Sequence, residues 1–469
     1  VVETVSDGLP QPQRRLAVFA IALASTMGTL DVNIANTALP AIARDLGIAP
    51  ATSIWIVNAY QIASVASLFT FAALGQLYGP ARVYRLGVLV FIAASVVCAL
   101  SHSFGLLIGG RVLQGIGASA IFAITPALYR EVFPRAQLGR ALGINATIVA
   151  TSTAAGPALG GFILAIAPWM WIYAINIPFG LANIALNRAL PHDDRNEGRL
   201  DMASALASAL GFALLISGLG SFARRGSETI TALSLIVGAI AFGWFLRRQT
   251  RLPRPMLDVR LFRIPAFTLA GATAFAGFAA QALAYVSLPY MFQRALGATP
   301  LASALLMLSW PIMLGLTSPL AGRLSDRFSP GLLATVGLGF LSCGLALYAA
   351  LMSHPAAFGI VVAGAVCGIG FGLFKSPNDR ELMTSAPREL SSSASGVLAA
   401  VRQSGQAVGA TLVAITFAAF GASVAGTAAD ASIAPAAHAA LWLACACAFS
   451  AMLASASRLR NALSVRPTH

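Results

Sequence analysis

The chain has 469 residues, 58% of them hydrophobic and 10% charged, and a formal net charge of +14. Soluble domains carry about 25% charged residues, so this chain cannot cover a water-facing surface, and its outer face must meet lipid. The basic balance, which could signal nucleic-acid binding in another context, sits here in short loops between apolar runs. No nucleic-acid or nucleotide partner is expected.

Read in chain order, hydropathy and breakers predict an all-α integral membrane protein with fourteen spans of bilayer length, each needing roughly 20 residues. A tail at 1–15 precedes spans at 16–38, 53–73, 84–102, 105–126, 141–164 and 171–190. Two further spans follow at 202–221 and 230–247, then six at 265–288, 300–321, 331–352, 356–374, 395–420 and 436–457, and a tail at 458–469. The first apolar run follows Arg14 and Arg15 and is long enough to stay in the membrane, so no cleavable leader is evident.

Basic residues fix the orientation. With the N-terminus inside, 24 of the 30 fall in inside segments, four outside (Arg44, Arg224, Arg225, Arg294) and two within spans, Arg111 and Arg402. One missed span would invert everything after it. Both termini are therefore expected in the cytoplasm of a plasma-membrane protein. The hydrophilic connections 191–201 and 247–264 bracket a two-span hairpin. They divide the chain into a six-helix bundle at 16–190, a linker with two extra spans at 191–264, and a second six-helix bundle at 265–457. Paired bundles are what a carrier with internal pseudo-symmetry needs. A weak repeat agrees: Gly75 to Gly79 with Arg82 and Arg85, and Gly322 with Asp326 and Arg327, each follow the second helix of a bundle.

Several segments carry a more specific signal. The first span holds Asp31-Val32-Asn33-Ile34-Ala35-Asn36-Thr37-Ala38-Leu39-Pro40, and the fourth Arg111-Val112-Leu113-Gln114-Gly115-Ile116-Gly117. The fifth holds Gly143, then Gly156-Pro157-Ala158-Leu159-Gly160-Gly161. The sixth opens with Trp169 to Tyr173 and Asn176-Ile177-Pro178-Phe179-Gly180. Together they resemble the fourteen-span drug:proton antiporter branch of the major facilitator superfamily, over about residues 25–415. Departures are Ser152 where a glycine is usual, Met170 where an arginine is common, and Gln76 near the acid of the first interdomain loop. The resemblance implies export of small amphipathic compounds against protons, by alternating access, with the fifth helix as a bendable seam.

An acid within a membrane helix costs a few kcal/mol and marks function, which singles out Asp31. It lies about 12 Å from the outer end of its span, and Arg111 about 10 Å from the outer end of the fourth, at 1.5 Å per residue. The two are expected to interact and to handle the coupled proton, since burial and a nearby guanidinium act on a carboxyl in opposite directions. Gln114 could orient Arg111 or simply pack. Further candidates for a largely apolar substrate cavity are Asn58, Tyr60 and Gln61, Asn145, Gln281, Tyr285 and Trp310, and Arg402, for which no acid stands at matching depth. Lys375, Asp379, Arg380 and Glu381 crowd the inner end of the twelfth span as a gate or a plain cap. With Asp31 the one clear acid within spans, dications are disfavoured as substrates, and monovalent cations, neutral or weakly acidic lipophiles are preferred.

Other classes fit poorly. Lys375 is the only lysine and follows Phe374, so there is no Gly-Lys-Ser/Thr phosphate loop for an ATP-driven pump. The five histidines fall in loops, near span ends or at the terminus, with no nucleophile and base to make an enzyme. The five cysteines lie in apolar segments without a CxxC spacing, so neither metal nor cofactor is expected. No charge ring suggests a channel. The partners expected are a small-molecule substrate, protons and lipid, around a monomer. A dedicated metabolite exporter or importer of the same fold is the alternative.

Overall fold

The computed structural model describes residues 8–134, 137–191, 200–222, 228–252, 255–351, 356–387, 390–422 and 427–464. Most of the 191–201 connection, Arg224, Arg225 and the surroundings of Gly143 lie outside the described residues. The described regular elements are all helical. A chain in lipid must satisfy its backbone groups internally, and a helix does so within one segment.

The helices are α1 (Gln11–Asp45), α2 (Pro50–Tyr78), α3 (Pro80–Ala99), α4 (Phe104–Val132), α5 (Leu138–Ile166) and α6 (171–186). Then come α7 (Met202–Ser221), α8 (Glu228–Gln249), α9 (Pro265–Ala295), α10 (Pro300–Leu324), α11 (Pro330–Leu351), α12 (Ala357–Ser385), α13 (Ser391–Ala419) and α14 (Thr427–Ser464). Among the described residues, eleven are long and apolar enough to cross a membrane; α5, α6 and α13 are not in that set. Proline sets several starts, at Pro50, Pro80, Pro265 and Pro300, where its missing N–H costs nothing. Ser103 and Thr299 cap α4 and α10, accepting from Leu106 N and Ala302 N. Two helices break where a proline ring meets the carbonyl four residues back. The α6 segment is interrupted at Ile175, ahead of Pro178, and α10 at Leu308, ahead of Pro311.

Two expected boundaries move. The helix α1 runs to Asp45 rather than 38, so Asp31 lies deeper, about 21 Å from its end at 1.5 Å per residue. The helix α12 runs to Ser385 rather than 374 and takes Asp379 and Glu381 with it, so Asp31 is not the only acid within a membrane-length helix. Hydropathy failed at 374 because the polar residues lie on protein-facing sides.

Packing repeats along the chain. Helix α1 lies on α4, α5 and α6, α4 on α2 and α3, and α3 on α6; likewise α9 lies on α12, α13 and α14, α12 on α10 and α11, and α11 on α14. The contacts match residue by residue. A Cβ on Gly115 of α4 would stand 2.3 Å from the Tyr60 carbonyl oxygen of α2, and one on Gly368 of α12 would stand 2.2 Å from that of Trp310 of α10. Likewise Gly117 faces the Gly87 oxygen at 2.8 Å, and Gly370 the Gly337 oxygen at 2.6 Å. Only glycine admits such backbone approach.

The sets α1–α6 and α9–α14 meet through α1 with α9, α2 with α13 and α5 with α10. Helix α7 rests on both α2 and α13, and α8 packs on α7. The most apolar window of α8 is only 17% buried, with Ile230, Leu233, Ile236 and Ile240 outward, as a lipid-facing helix requires.

Candidate functional site

Ion pairs within or beside the helical core form three centres. At the first, Arg111 of α4 and Asp31 of α1 form a salt bridge whose side chains are both 0% exposed. Gln114, one turn along α4, accepts from the guanidinium at 2.6 Å and donates to Asp31 Oδ1 at 2.8 Å and to Ser95 Oγ of α3 at 2.9 Å. Asn176, at the start of the second piece of α6, donates to the same Oδ1 at 2.8 Å. Arg111 Nε donates to the Ile56 carbonyl at 3.1 Å, and its carbon lies 4.4 Å from the Tyr60 ring centre and 5.5 Å from that of Tyr173. One Arg111 nitrogen, Nη2, has no hydrogen-bond partner among the described residues. Three helices thus meet at the carboxylate, and α2 and α3 support the groups that hold it. Ser95, Tyr173 and Asn176 were not singled out from sequence as members of the centre; a serine and an asparagine inside apolar runs were the available signal. Both side chains are fully buried, so in this conformation the centre is closed to solvent.

The second centre corrects an expectation. Arg402 of α13 has its acid: it pairs with Asp379 of α12, their side chains 31% and 20% exposed. The partner was hidden because Asp379 lies five residues beyond 374, where hydropathy ends the span. Arg402 also lies 5.5 Å from the Phe278 ring centre of α9.

The third centre joins helix ends on the face that carries the termini. Arg458 of α14 bridges Glu381 at 3.0 Å and donates to Asn378 Oδ1 at 3.1 Å, while Asn378 donates to the Ala270 carbonyl at 3.1 Å. Nearby, Asp326 pairs with Arg380 at 2.6 Å in an exposed setting, and Arg327 is exposed. In the earlier loop, Arg85 donates to the Asn187 carbonyl at 3.3 Å, the helix-end contact its position suggests; Arg82 lies on the same turn. Gly322 faces Ser376 at 3.6 Å.

The other candidates scatter. Asn58, Gln61, Tyr285 and Trp310 are buried, each with a side-chain polar atom lacking a partner among the described residues, as has the half-buried Asn145. The Tyr285 and Trp310 rings lie 5.1 Å apart, tilted at 51°, whereas Gln281 is buried without a described contact to them. The seam residues of α5 meet α1 and α10: a Cβ on Gly156 would stand 2.4 Å from Asn33 Cβ, on Gly160 3.3 Å from Thr37 Cβ, and on Gly161 2.6 Å from Ala304 Cβ, with Pro157 within the helix.

Hydrogen bonds between α1–α6 and α9–α14 cluster at the face opposite the termini. There Tyr290 pairs with Ser53, Gln293 donates to the Thr37 carbonyl at 3.0 Å, and Ala51 N donates to the Ala422 carbonyl at 3.3 Å. At mid-depth Gln403 donates to Ser64 at 3.4 Å.

Residues 21–410 match the profile of the Major Facilitator Superfamily. The chain is 45% identical over 419 residues to the uncharacterized transporter YebQ of Escherichia coli (strain K12), covering 89% of this chain and 92% of that protein. It is 30% identical over 401 residues to the multidrug resistance protein Stp of Mycobacterium tuberculosis (strain CDC 1551 / Oshkosh), covering 84% and 74%. It is 28% identical over 411 residues to the riboflavin transporter RibZ of Clostridioides difficile (strain 630), covering 87% and 89%. Its fold is shared by a bacterial homologue of the lysosomal transporter Spinster, in an inward-facing, unoccupied conformation, at TM-score 0.70 and 16% identity over 96% of this chain and 99% of that one. This chain is a multi-span membrane transporter of the Major Facilitator Superfamily.

Proposed function

We propose that the chain is a proton-coupled antiporter that exports small amphipathic compounds by alternating access. In this reading it crosses the membrane fourteen times, as two six-helix bundles with α7 and α8 as an inserted hairpin and both termini cytoplasmic. The repeated packing of α1–α6 and α9–α14 supports the division, and the distribution of arginines supports the orientation. The relatives named for drug resistance support the substrate class.

The buried Asp31–Arg111 pair carries the coupling. Protonating Asp31 removes the counter-charge of a guanidinium that is itself fully buried, and an unpaired buried charge is strongly destabilising. The neutral carboxyl therefore favours a conformation in which water or substrate reaches Arg111. The charged carboxylate favours the sealed pair. Hydrogen bonds joining the halves at the face opposite the termini fit a state closed to the outside, from which release of H⁺ inward leaves the ion pair intact.

The test is proton flux driven by an ethidium gradient in proteoliposomes, in wild type and Asp31→Asn. The variant should bind ethidium yet lose coupled flux by at least about 10-fold, the equivalent of 1.4 kcal/mol. Coupled flux at the wild-type level removes Asp31 from the mechanism. The similarity to RibZ favours one second reading, a dedicated metabolite carrier; competition of ethidium efflux by riboflavin alone, among chemically varied compounds, would select it.

A further inference from the structure

The second ionic centre has an excess of positive charge that the first lacks. Arg402 and Asp379 neutralise each other. Lys375 lies one helical turn from Asp379 on the same side of α12, near enough to interact electrostatically with Asp379 and Arg402. It makes no hydrogen bond or salt bridge among the described residues and is half-buried. Buried aromatic rings back the centre on the Arg402 side: Phe278, Phe371 and Phe374 pack edge to face at 5.3 and 5.5 Å, and Arg402 lies over the first of them. Two buried polar atoms, Asp379 Oδ1 and Arg402 Nε, also lack a partner among the described residues.

The placement is built by close helix contact. A Cβ on Gly405, one turn beyond Arg402, would stand 2.5 Å from the Phe275 carbonyl of α9, so α13 lies close on α9 beside the centre. Gln403, the next residue, reaches Ser64 of α2, so the centre borders the seam between the halves. Lys375 lies about 15 Å from the end of α12 at 1.5 Å per residue. That is well inside a helix of membrane-spanning length, on the side of the molecule away from the Tyr290–Ser53 and Gln293–Thr37 contacts.

From this geometry we propose that Lys375 and Arg402 form a binding site for the anionic group of an amphipathic monoanion, a carboxylate or sulfonate on an aromatic body. Asp379 is the internal anion it displaces. The anion supplies the acceptor that Lys375 lacks and competes with Asp379 for Arg402, while its apolar body lies beside the partly exposed Arg402 side chain along the seam between α12 and α13. The proposal rests on the transport reading above and adds weakly acidic lipophiles, held at this site, to the substrates of that reading.

Equilibrium binding to the purified full-length protein tests it with three probes that share one ring system: 2-naphthoate, 2-naphthamide and 2-naphthylmethylammonium. Naphthoate should bind at least about 10-fold more tightly than the other two. Lys375→Gln should erase that preference and Lys375→Arg should keep it. Asp379→Asn should strengthen naphthoate binding, whereas a purely structural ion pair predicts weaker binding or loss of fold, read by size-exclusion profile and melting temperature. Equal affinity for the three probes, preference for the ammonium, no binding at millimolar concentration, or an unchanged preference in Lys375→Gln overturns the proposal. The last of these would mean that Lys375 only reaches towards lipid headgroups. No proton gradient enters the measurement, so a failure here is distinct from a failure of Asp31 coupling.

Discussion

Arg111 makes three kinds of contact from one side chain: Nη1 to Asp31 and Gln114, Nε to the Ile56 carbonyl, and its flat face to Tyr60. A lysine carries a single cationic point and cannot span these. Arg111→Lys is therefore expected to behave as a loss, not a conservative change. Removing hydrogen bonds to a buried charged group costs about 1.5–3 kcal/mol, and coupled efflux should fall by roughly 10-fold or more while the protein remains monodisperse. Efflux within twofold of wild type would show that charge alone suffices. The pairing of Asp31 with Arg111 could be anticipated from sequence because they are an acid and a base standing alone inside apolar spans of the first six; the depth match did not carry it, since α1 runs on to Asp45. Ser95 and Asn176 could not, because depth says nothing of azimuth. Whether a polar side chain faces a neighbour or lipid depends on how the helix is rotated, and the hydropathy of α3 and α6 carries little of that. Asp379 was missed for another reason: a protein-facing polar turn at the end of α12 looks, in a hydropathy average, like the membrane boundary.

At the scale of elements, glycine contacts set how closely helices approach, and the same geometry occurs twice. Gly115 against Tyr60 and Gly368 against Trp310 leave no room for a side chain. Overpacking costs about 1–3 kcal/mol and occasionally more, and here the obstacle is backbone, which cannot swing away. Gly115→Val and Gly368→Val should each abolish a monodisperse peak in size-exclusion of detergent-solubilised protein, while Gly109→Val, with open space around its Cβ, should not. Equal behaviour of the three would dissociate close approach from stability. Sequence identified the glycine-rich spans but not which glycines face which backbone. The hairpin offers a pH-dependent counterpart outside the membrane. Arg248 holds Asp201 through two hydrogen bonds at 2.7 and 3.0 Å, which pushes the carboxyl down to about 2, with Ser204 assisting. A depressed carboxyl stabilises the fold above its unfolded value of about 3.9 and loses that contribution as pH falls towards 2. Partly exposed pairs contribute about 0–1 kcal/mol. Asp201→Asn should therefore melt slightly lower than wild type from pH 8 to 5, and the gap should close below about pH 4. A constant gap at all pH values would assign the effect to the cap geometry instead.

For the whole molecule, the all-helical, multi-span membrane fold was legible because bilayer thickness and the cost of exposed backbone leave few solutions. What the sequence could not state is which end of the molecule is closed, since that is a balance between conformations of one chain. The hydrogen bonds of Gln293 with Thr37 and of Tyr290 with Ser53 are the described side-chain links holding the halves together at the face opposite the termini. Each buried hydrogen bond contributes about 0.5–1.5 kcal/mol, so removing two shifts the balance by about 1–3 kcal/mol, a factor of roughly 5–150 at RT of about 0.59 kcal/mol. The protein carries its own reporter. Cys98 of α3 is 0% exposed and lies 3.9 Å from Gln114 Oε1, beside the Asp31 pair. In a variant retaining only that cysteine, Gln293→Ala with Tyr290→Phe should raise its labelling by a membrane-impermeant maleimide added outside, by severalfold or more. Labelling should stay low when the same reagent is enclosed inside vesicles of the double variant. The opposite sidedness would reverse the orientation assigned to the termini, and no change in either arm would show that these contacts do not hold the closed face.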